Sequence, residues 1–143
     1  MTAAVLDDHL LRDLLSGEVS DELAELLRNF EPATTNLYLH RLCRSVAASP
    51  GGALTAWLSP AQRAELGRSL VTLPETVQIV PMRVLAYRMA ELVAVHRVST
   101  LGGEAIASAE RLGAPLCVWE GDDGPRIRSG AAAAGAPYRT LRR

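Results

Sequence analysis

Short apolar runs alternate along this chain with segments whose leucines recur at three- and four-residue spacing, and that alternation leaves few folds open. AAVLDD (3–8) is an apolar run ending in two acids, and predicts a buried strand that stops at Asp7 or Asp8. HLLRDLLSG follows, with Leu10, Leu11, Leu14 and Leu15 at helical spacing and Gly17 as a stop. Ser20 is a good N-cap for a second helix carrying Leu23, Leu26, Leu27 and Phe30 on one face, and Asp21 and Glu22 suit its dipole. After Pro32, ATTNLY predicts a short strand that turns into a helix continuing through Val46. SPGG (49–52) reads as a loop, and Ser59-Pro60 launches a helix through Leu70.

TVQIVP (76–81) is the clearest strand signal, β-branched and closed by Pro81. A long apolar helix is predicted over 82–97, interrupted at Leu101-Gly102-Gly103. GEAIASAERLG (103–113) then forms a compact helix ended by Gly113. PLCVWE (115–120) predicts a buried strand, GDDGP a turn, IRSGAAAAG a short helix and PYRTL (137–141) a last strand. Strands separated by helices predict a single α/β domain over residues 1–143 with a mainly parallel sheet of 4–5 strands.

The composition supports a packed domain: 48% hydrophobic and 22% charged residues exclude disorder and a disulfide-stapled miniprotein. No apolar run approaches the roughly 20 residues of a membrane-spanning helix, and no basic-then-apolar signal pattern opens the chain, so a cytoplasmic protein without a membrane partner is expected. Cys43 and Cys117 sit in apolar stretches and read as buried free thiols. All fifteen basic residues are Arg, which we attribute to codon bias. Net charge is −1 but unevenly spread: residues 1–31 hold eight acids against two Arg, and residues 125–143 hold five Arg and no acid. That asymmetry predicts either an acidic site and a phosphate-facing basic tail or two solvated faces.

Open parallel sheets bind ligands beyond the carboxyl ends of their strands, where strand order reverses. Asp7 and Asp8 follow the first strand, and Glu120, Asp122 and Asp123 follow the strand at 115–120. If the two strands are neighbours these carboxylates converge, and clustered oxygens are what Mg²⁺ or Mn²⁺ requires. Acids after a strand also cap helices, and Asp8 is placed to cap residues 9–16. His9, His40 and His96 show no ligand spacing, and His9, beside the acids, reads first as a solvent-facing helix residue, with assistance to the acids as the alternative. Trp57, Trp119 and Tyr38 read first as packing residues. Arg126, Arg128, Arg139, Arg142 and Arg143 are candidates for holding an RNA backbone.

The run "apolar strand, Asp, Leu-rich helix" at 4–15, ATTNLYLHRLCRSV at 33–46 and GEAIASAERLGAPLCVWE at 103–120 resembles the PIN domain. The resemblance implies a three-layer α/β/α sandwich and a metal-dependent ribonuclease of the VapC kind. It also implies a homodimer, an RNA substrate and a small antitoxin protein that packs over the cleft. On that pattern Asp7 matches the acid ending the first strand, and Glu120 matches the acid after the late strand. Arg41 stands where the family has a Glu, and Gly102 where it has a third acid, with Glu104 as the displaced substitute.

The implied catalytic set is therefore Asp7, Glu120 and Glu104. The implied metal set is Asp7, Asp8, Glu120 and Asp122, with Arg41, Arg126 and Arg128 on nucleic acid. A cation at position 41 changes the local charge by two units, and two unit charges 4 Å apart interact by roughly 4 kcal/mol at an effective dielectric near 20. Two readings follow: a Mg²⁺- or Mn²⁺-dependent ribonuclease, or a PIN-like binding module whose metal site has been replaced by Arg–carboxylate pairing. Three or more carboxylates within 5–6 Å and Arg41 outside favour the first. Arg41 bridging Asp7 and Glu120 favours the second.

Overall fold

The computed structural model describes residues 1–48 and 51–143; Ser49 and Pro50 of the expected loop lie outside the described residues. Ala3–Leu6 forms the first strand, β1, and all four residues are buried. Burial on both faces explains why this run is continuously apolar instead of alternating. The remaining strands are β2 (Glu31–Thr34), β3 (Gln78–Ile79), β4 (Leu116–Trp119) and β5 (Tyr138–Leu141). They form one five-stranded sheet in the order β3-β2-β1-β4-β5, and every pairing is parallel.

Among the described residues seven helices flank the sheet: α1 (Asp8–Ser16), α2 (Asp21–Asn29), α3 (Asn36–Ala47), α4 (Pro60–Val71), α5 (Met82–His96), α6 (Thr100–Leu112) and α7 (Pro125–Ala133). On one face of the sheet Ala4, Leu6 and Cys117 pack with Leu10 of α1 and with Leu23 and Leu26 of α2. On the other face Val5, Ala33, Leu116 and Val118 pack with α3, α5, α6 and α7 through Tyr38, Leu85, Ile106 and Ala131. A third cluster (Leu11, Leu42, Leu54, Leu66 and Val77) ties α1, α3 and α4 together. The architecture is a three-layer α/β/α sandwich. No helix among the described residues is long and apolar enough to cross a membrane.

Four local expectations are corrected. The strand expected over 76–81 shrinks to Gln78–Ile79, because Val77 N–H turns back to the Pro74 carbonyl and Pro81 already caps α5. The strand expected after Pro32 begins before it, at Glu31. Pro32 pairs with Ala4, whereas β3 reaches only Ala33 and Thr34, so its missing N–H faces no partner strand. The break expected at Gly102-Gly103 lies inside α6, which starts at Thr100 with Ser99 as N-cap. A Cβ on Gly103 would sit 3.4 Å from the Met89 carbonyl oxygen and 3.3 Å from Val93 Cγ2, so the glycine permits close approach of α5. Asp7, not Asp8, caps α1.

Glu104 shows how α3 and α6 are locked together. It is fully buried, and its two carboxylate oxygens accept hydrogen bonds from Asn36 N–H (3.1 Å), Asn36 Nδ2 (2.8 Å) and Leu37 N–H (2.8 Å). A carboxylate from one helix thus satisfies the first orphan N–H groups of another, with the helix dipole favouring the charge. Thr35 Oγ1 takes the next N–H, that of Tyr38, at 3.0 Å. Glu104→Gln removes the charge and one acceptor at this helix terminus, and lowers stability by about 1–3 kcal/mol in urea denaturation. An unchanged midpoint would contradict this role.

Candidate metal centre

β1 lies between β2 and β4, and the chain crosses from one side of it to the other, so the gap beyond β1 and β4 is the switch point of the sheet. Asp7 leaves β1 at that gap and is fully buried. Its Oδ1 accepts from Leu10 N–H at 2.9 Å, capping α1, and its Oδ2 accepts from Trp119 N–H at 3.0 Å. The Asp7 N–H in turn donates to the Cys117 carbonyl at 3.1 Å. Capping and membership of an acidic site, posed as alternatives by the sequence, are both properties of this residue.

Asp8 opens α1 and is also fully buried. Its Oδ1 accepts from His9 N–H at 2.9 Å and lies 3.1 Å from His9 Nδ1. Its Oδ2 lies 3.1 Å from Arg41 Nη1 without hydrogen-bond geometry, and so remains a sealed acceptor with no hydrogen bond. Asp122 comes from the other strand, on the 3-10 turn Glu120–Asp122 that follows β4, and its Oδ2 is 2.7 Å from His9 Nδ1. One ligand atom from each of Asp7, Asp8, His9 and Asp122 lies within 4.8 Å of every other.

His9 is therefore part of the cluster and not a solvent-facing residue. It stacks on Trp119, with ring centroids 4.8 Å apart, and Arg143 covers the Trp119 ring at 4.3 Å. The visible signal was the adjacency Asp-Asp-His at a strand end. What no spacing rule reveals is that β4 delivers Asp122 to the same imidazole.

The other expected residues are distributed as follows. Glu104 is not brought to the cluster, since its carboxylate is committed to the α3 N-terminus. Glu120 starts the 3-10 turn, is exposed, and lies outside the cluster; the turn presents Asp122 instead. Arg41 faces Asp8 and bridges neither Asp7 nor Glu120 among the described residues. Arg128 pairs with Asp123 at 2.8 Å and lies over the Tyr138 ring, so it is engaged locally, whereas Arg126 is exposed. Arg142 pairs with Glu22 and Arg139 lies over Phe30. Cys43 and Cys117 are free thiols, and burial pushes Cys117 up to about 12. Trp57 is exposed rather than packed, and Arg12 lies over its ring at 4.6 Å. No protein-family model and no curated protein matches the chain.

Burial, and then the contacts among these charged groups, set the electrostatics. Burial, with the neighbouring Asp8 charge, pushes the Asp7 carboxyl up to about 8 despite its two backbone hydrogen bonds. His9 loses some basicity to burial, but its hydrogen bonds to Asp122 and Asp8 outweigh that and push it up to about 9. Asp122 is held low: partial burial opposes ionisation, and the hydrogen bond and charge of His9 overcome it.

Both upward shifts have the same consequence for stability. The contribution of Asp7 is complete below about 3.8 and lost as pH rises through about 8; that of His9 is complete below about 6.5 and lost through about 9. The metal-free protein accordingly loses thermal stability between pH 6.5 and 9, and Asp7→Asn reduces the slope by removing one of the two terms. Melting curves across that range in metal-stripped buffer check this. A Tm that is level or rises with pH would contradict it.

Proposed function

We propose that the cluster holds a divalent cation and that the protein is a metal-dependent ribonuclease of PIN-like type. The observation carrying this reading is the convergence of three carboxylates and one imidazole within 4.8 Å at the switch point of a parallel sheet. The residues present fit a hard cation such as Mg²⁺ or Mn²⁺: Asp7, Asp8 and Asp122 supply oxygen, and His9, protonated in the metal-free protein, adds a nitrogen that Mn²⁺ accepts only once it has released a proton. The buried Asp8 Oδ2 accepts no hydrogen bond among the described residues and faces only Arg41 Nη1 at 3.1 Å, so it is the acceptor an ion would take over from that guanidinium. A divalent ion bound at such a cluster supplies an activated water and neutralises charge on a phosphodiester.

The chain's own residues account for the rest of the chemistry. Asp7 positions the cluster through its bonds to Leu10 and Trp119. His9, hydrogen-bonded to Asp122, holds a proton at Nδ1. On this reading the half-exposed Arg41 and the exposed Arg126 meet backbone phosphates. The PIN resemblance extends this reading to a toxin-like activity in a homodimer silenced by a small antitoxin protein.

One observation favours the second reading, a binding module without catalysis: Arg41 already stands 3.1 Å from the open oxygen of Asp8. The carboxylate spacing meets the condition set for an enzyme, whereas the position of Arg41 does not. Calorimetric titration with Mn²⁺ separates the two. The metal reading expects one site per chain, lost in Asp8→Asn, whose amide oxygen can still accept from His9 N–H, with an unchanged Tm showing that the fold is intact. It also expects Arg41→Gln to bind Mn²⁺ at least about tenfold more tightly, a gain of about 1.4 kcal/mol from removing a competing cation. Mn²⁺-dependent cleavage of single-stranded RNA by wild type, lost in Asp8→Asn, then supports the nuclease. No Mn²⁺ binding by wild type or by Arg41→Gln would leave the binding module.

A further inference from the structure

Beside the acidic cluster, and bordered by Asp122 and Arg41 from it, lies a cavity of about 690 Å³ between the N-terminus of α6 and the start of α7. Its charged lining is mostly cationic: Arg41, Arg97 and Arg126 against the single carboxylate of Asp122, which is engaged by His9. Arg97 and Arg126 are exposed and form no ion pair among the described residues, whereas Arg28, Arg68, Arg88, Arg128 and Arg142 each have an acid. Arg97 ends α5 in the left-handed conformation (φ 54°, ψ 28°), and Ser99 caps α6 two residues later.

The thirteen-residue α6 aims its positive end at this space. Ser99 Oγ accepts from Gly102 N–H at 3.0 Å, while the N–H of Leu101, a lining residue, has no partner among the described residues. A helix terminus alone is not a site, but a second and independent mark is present. Tyr38, only 4% exposed, lines the same cavity, and its hydroxyl makes no hydrogen bond among the described residues. Unlike Asp8 Oδ2, that hydroxyl is not sealed in. A buried tyrosine normally gives its O–H a partner, and the cavity is where one can arrive. The lining also includes the apolar side chains of Val98, Leu101 and Ile127.

We propose that this cavity is a phosphate-binding pocket for a nucleotide-sized ligand. Arg97, Arg126, the Tyr38 hydroxyl and the N-terminus of α6 receive the phosphate, and the apolar side chains receive the base. Gly102 is integral to it. A Cβ there would lie 3.4 Å from Ser99 Oγ and 3.5 Å from Val98 Cβ, so a side chain fits, and a carboxylate at this position would repel the anion. Residue 102 is where the PIN pattern carries an acid; here a glycine leaves the helix terminus open. The pocket goes beyond the metal chemistry proposed above and requires no ion.

The test is calorimetric titration of metal-stripped protein with adenosine 5′-monophosphate and with adenosine. The monophosphate binds one per chain, and adenosine at least about tenfold more weakly. The double variant Arg97→Asn, Arg126→Gln weakens the monophosphate about tenfold or more, with asparagine chosen because it tolerates positive φ. Tyr38→Phe weakens it about threefold at an unchanged or higher Tm, since only an unpartnered hydroxyl is lost. Gly102→Asp abolishes it. Asp8→Asn, which removes Mn²⁺ binding on the metal reading, retains it, so failure of either idea is visible separately. Adenylyl-adenosine, whose single phosphate is a diester, distinguishes the source: tighter binding than the monophosphate assigns a strand, weaker binding a free nucleotide. Equal binding of monophosphate and adenosine, no binding of the monophosphate at millimolar concentration, or a double variant that binds like wild type would overturn the pocket.

Discussion

The carboxylate of Asp7 is the joint on which this end of the molecule depends. One oxygen caps α1 and the other holds the backbone of β4 at Trp119, while its own N–H donates to Cys117. Two segments distant in sequence, the β1–α1 junction and β4, are thereby fixed around one buried group. Asp8 and His9 are carried along on the first turn of α1, and Asp122 arrives on the turn that β4 leads into. The central position of β1, buried on both faces, makes the joint rigid.

Rigidity has an electrostatic cost. Three carboxyl groups held this close resist full ionisation, and the metal-free protein answers with Asp7 pushed up to about 8 and with two cations of its own, His9 between Asp8 and Asp122 and Arg41 against Asp8. At an effective dielectric near 20 each close pair of unit charges is worth roughly 4 kcal/mol before solvent screening. A divalent ion entering the cluster therefore competes with resident positive charge. The Arg41 side chain is half-exposed, whereas Asp8 is sealed. The same arginine connects the cluster to the neighbouring cavity, where cations dominate and an anion is the better guest. An acidic pit beside a basic pocket is an arrangement suited to a ligand bearing both a phosphate and a site of attack.

Much of the layering was legible before any coordinates. Fully apolar AAVL and PLCV marked parallel strands buried on both sides, and leucine spacing marked α1 and α2. Ser20 and Ser59 announced their helices as N-caps. What was hidden is tertiary in origin. The glycine pair at 102–103 is a helix breaker by propensity, yet it sits inside α6 because Ser99 caps the helix and α5 packs too close for a side chain at 103. Glu104 has the chemistry of a ligand, and only the position of the α3 N-terminus shows that its oxygens are committed elsewhere. His9 lacks any ligand spacing because its partner, Asp122, is 113 residues away along the chain. Asp7 and Asp122 were visible as acids at strand ends; their convergence waited on the order of the strands.

The central claim is that the pit at the ends of β1 and β4 is a divalent-cation site. Its most direct test is the anomalous difference map of a crystal grown with Mn²⁺. The account predicts one strong peak in contact with the carboxylates of Asp7, Asp8 and Asp122, with Arg41 displaced from Asp8. A map with no peak at these residues and Arg41 still seated on Asp8 would contradict it.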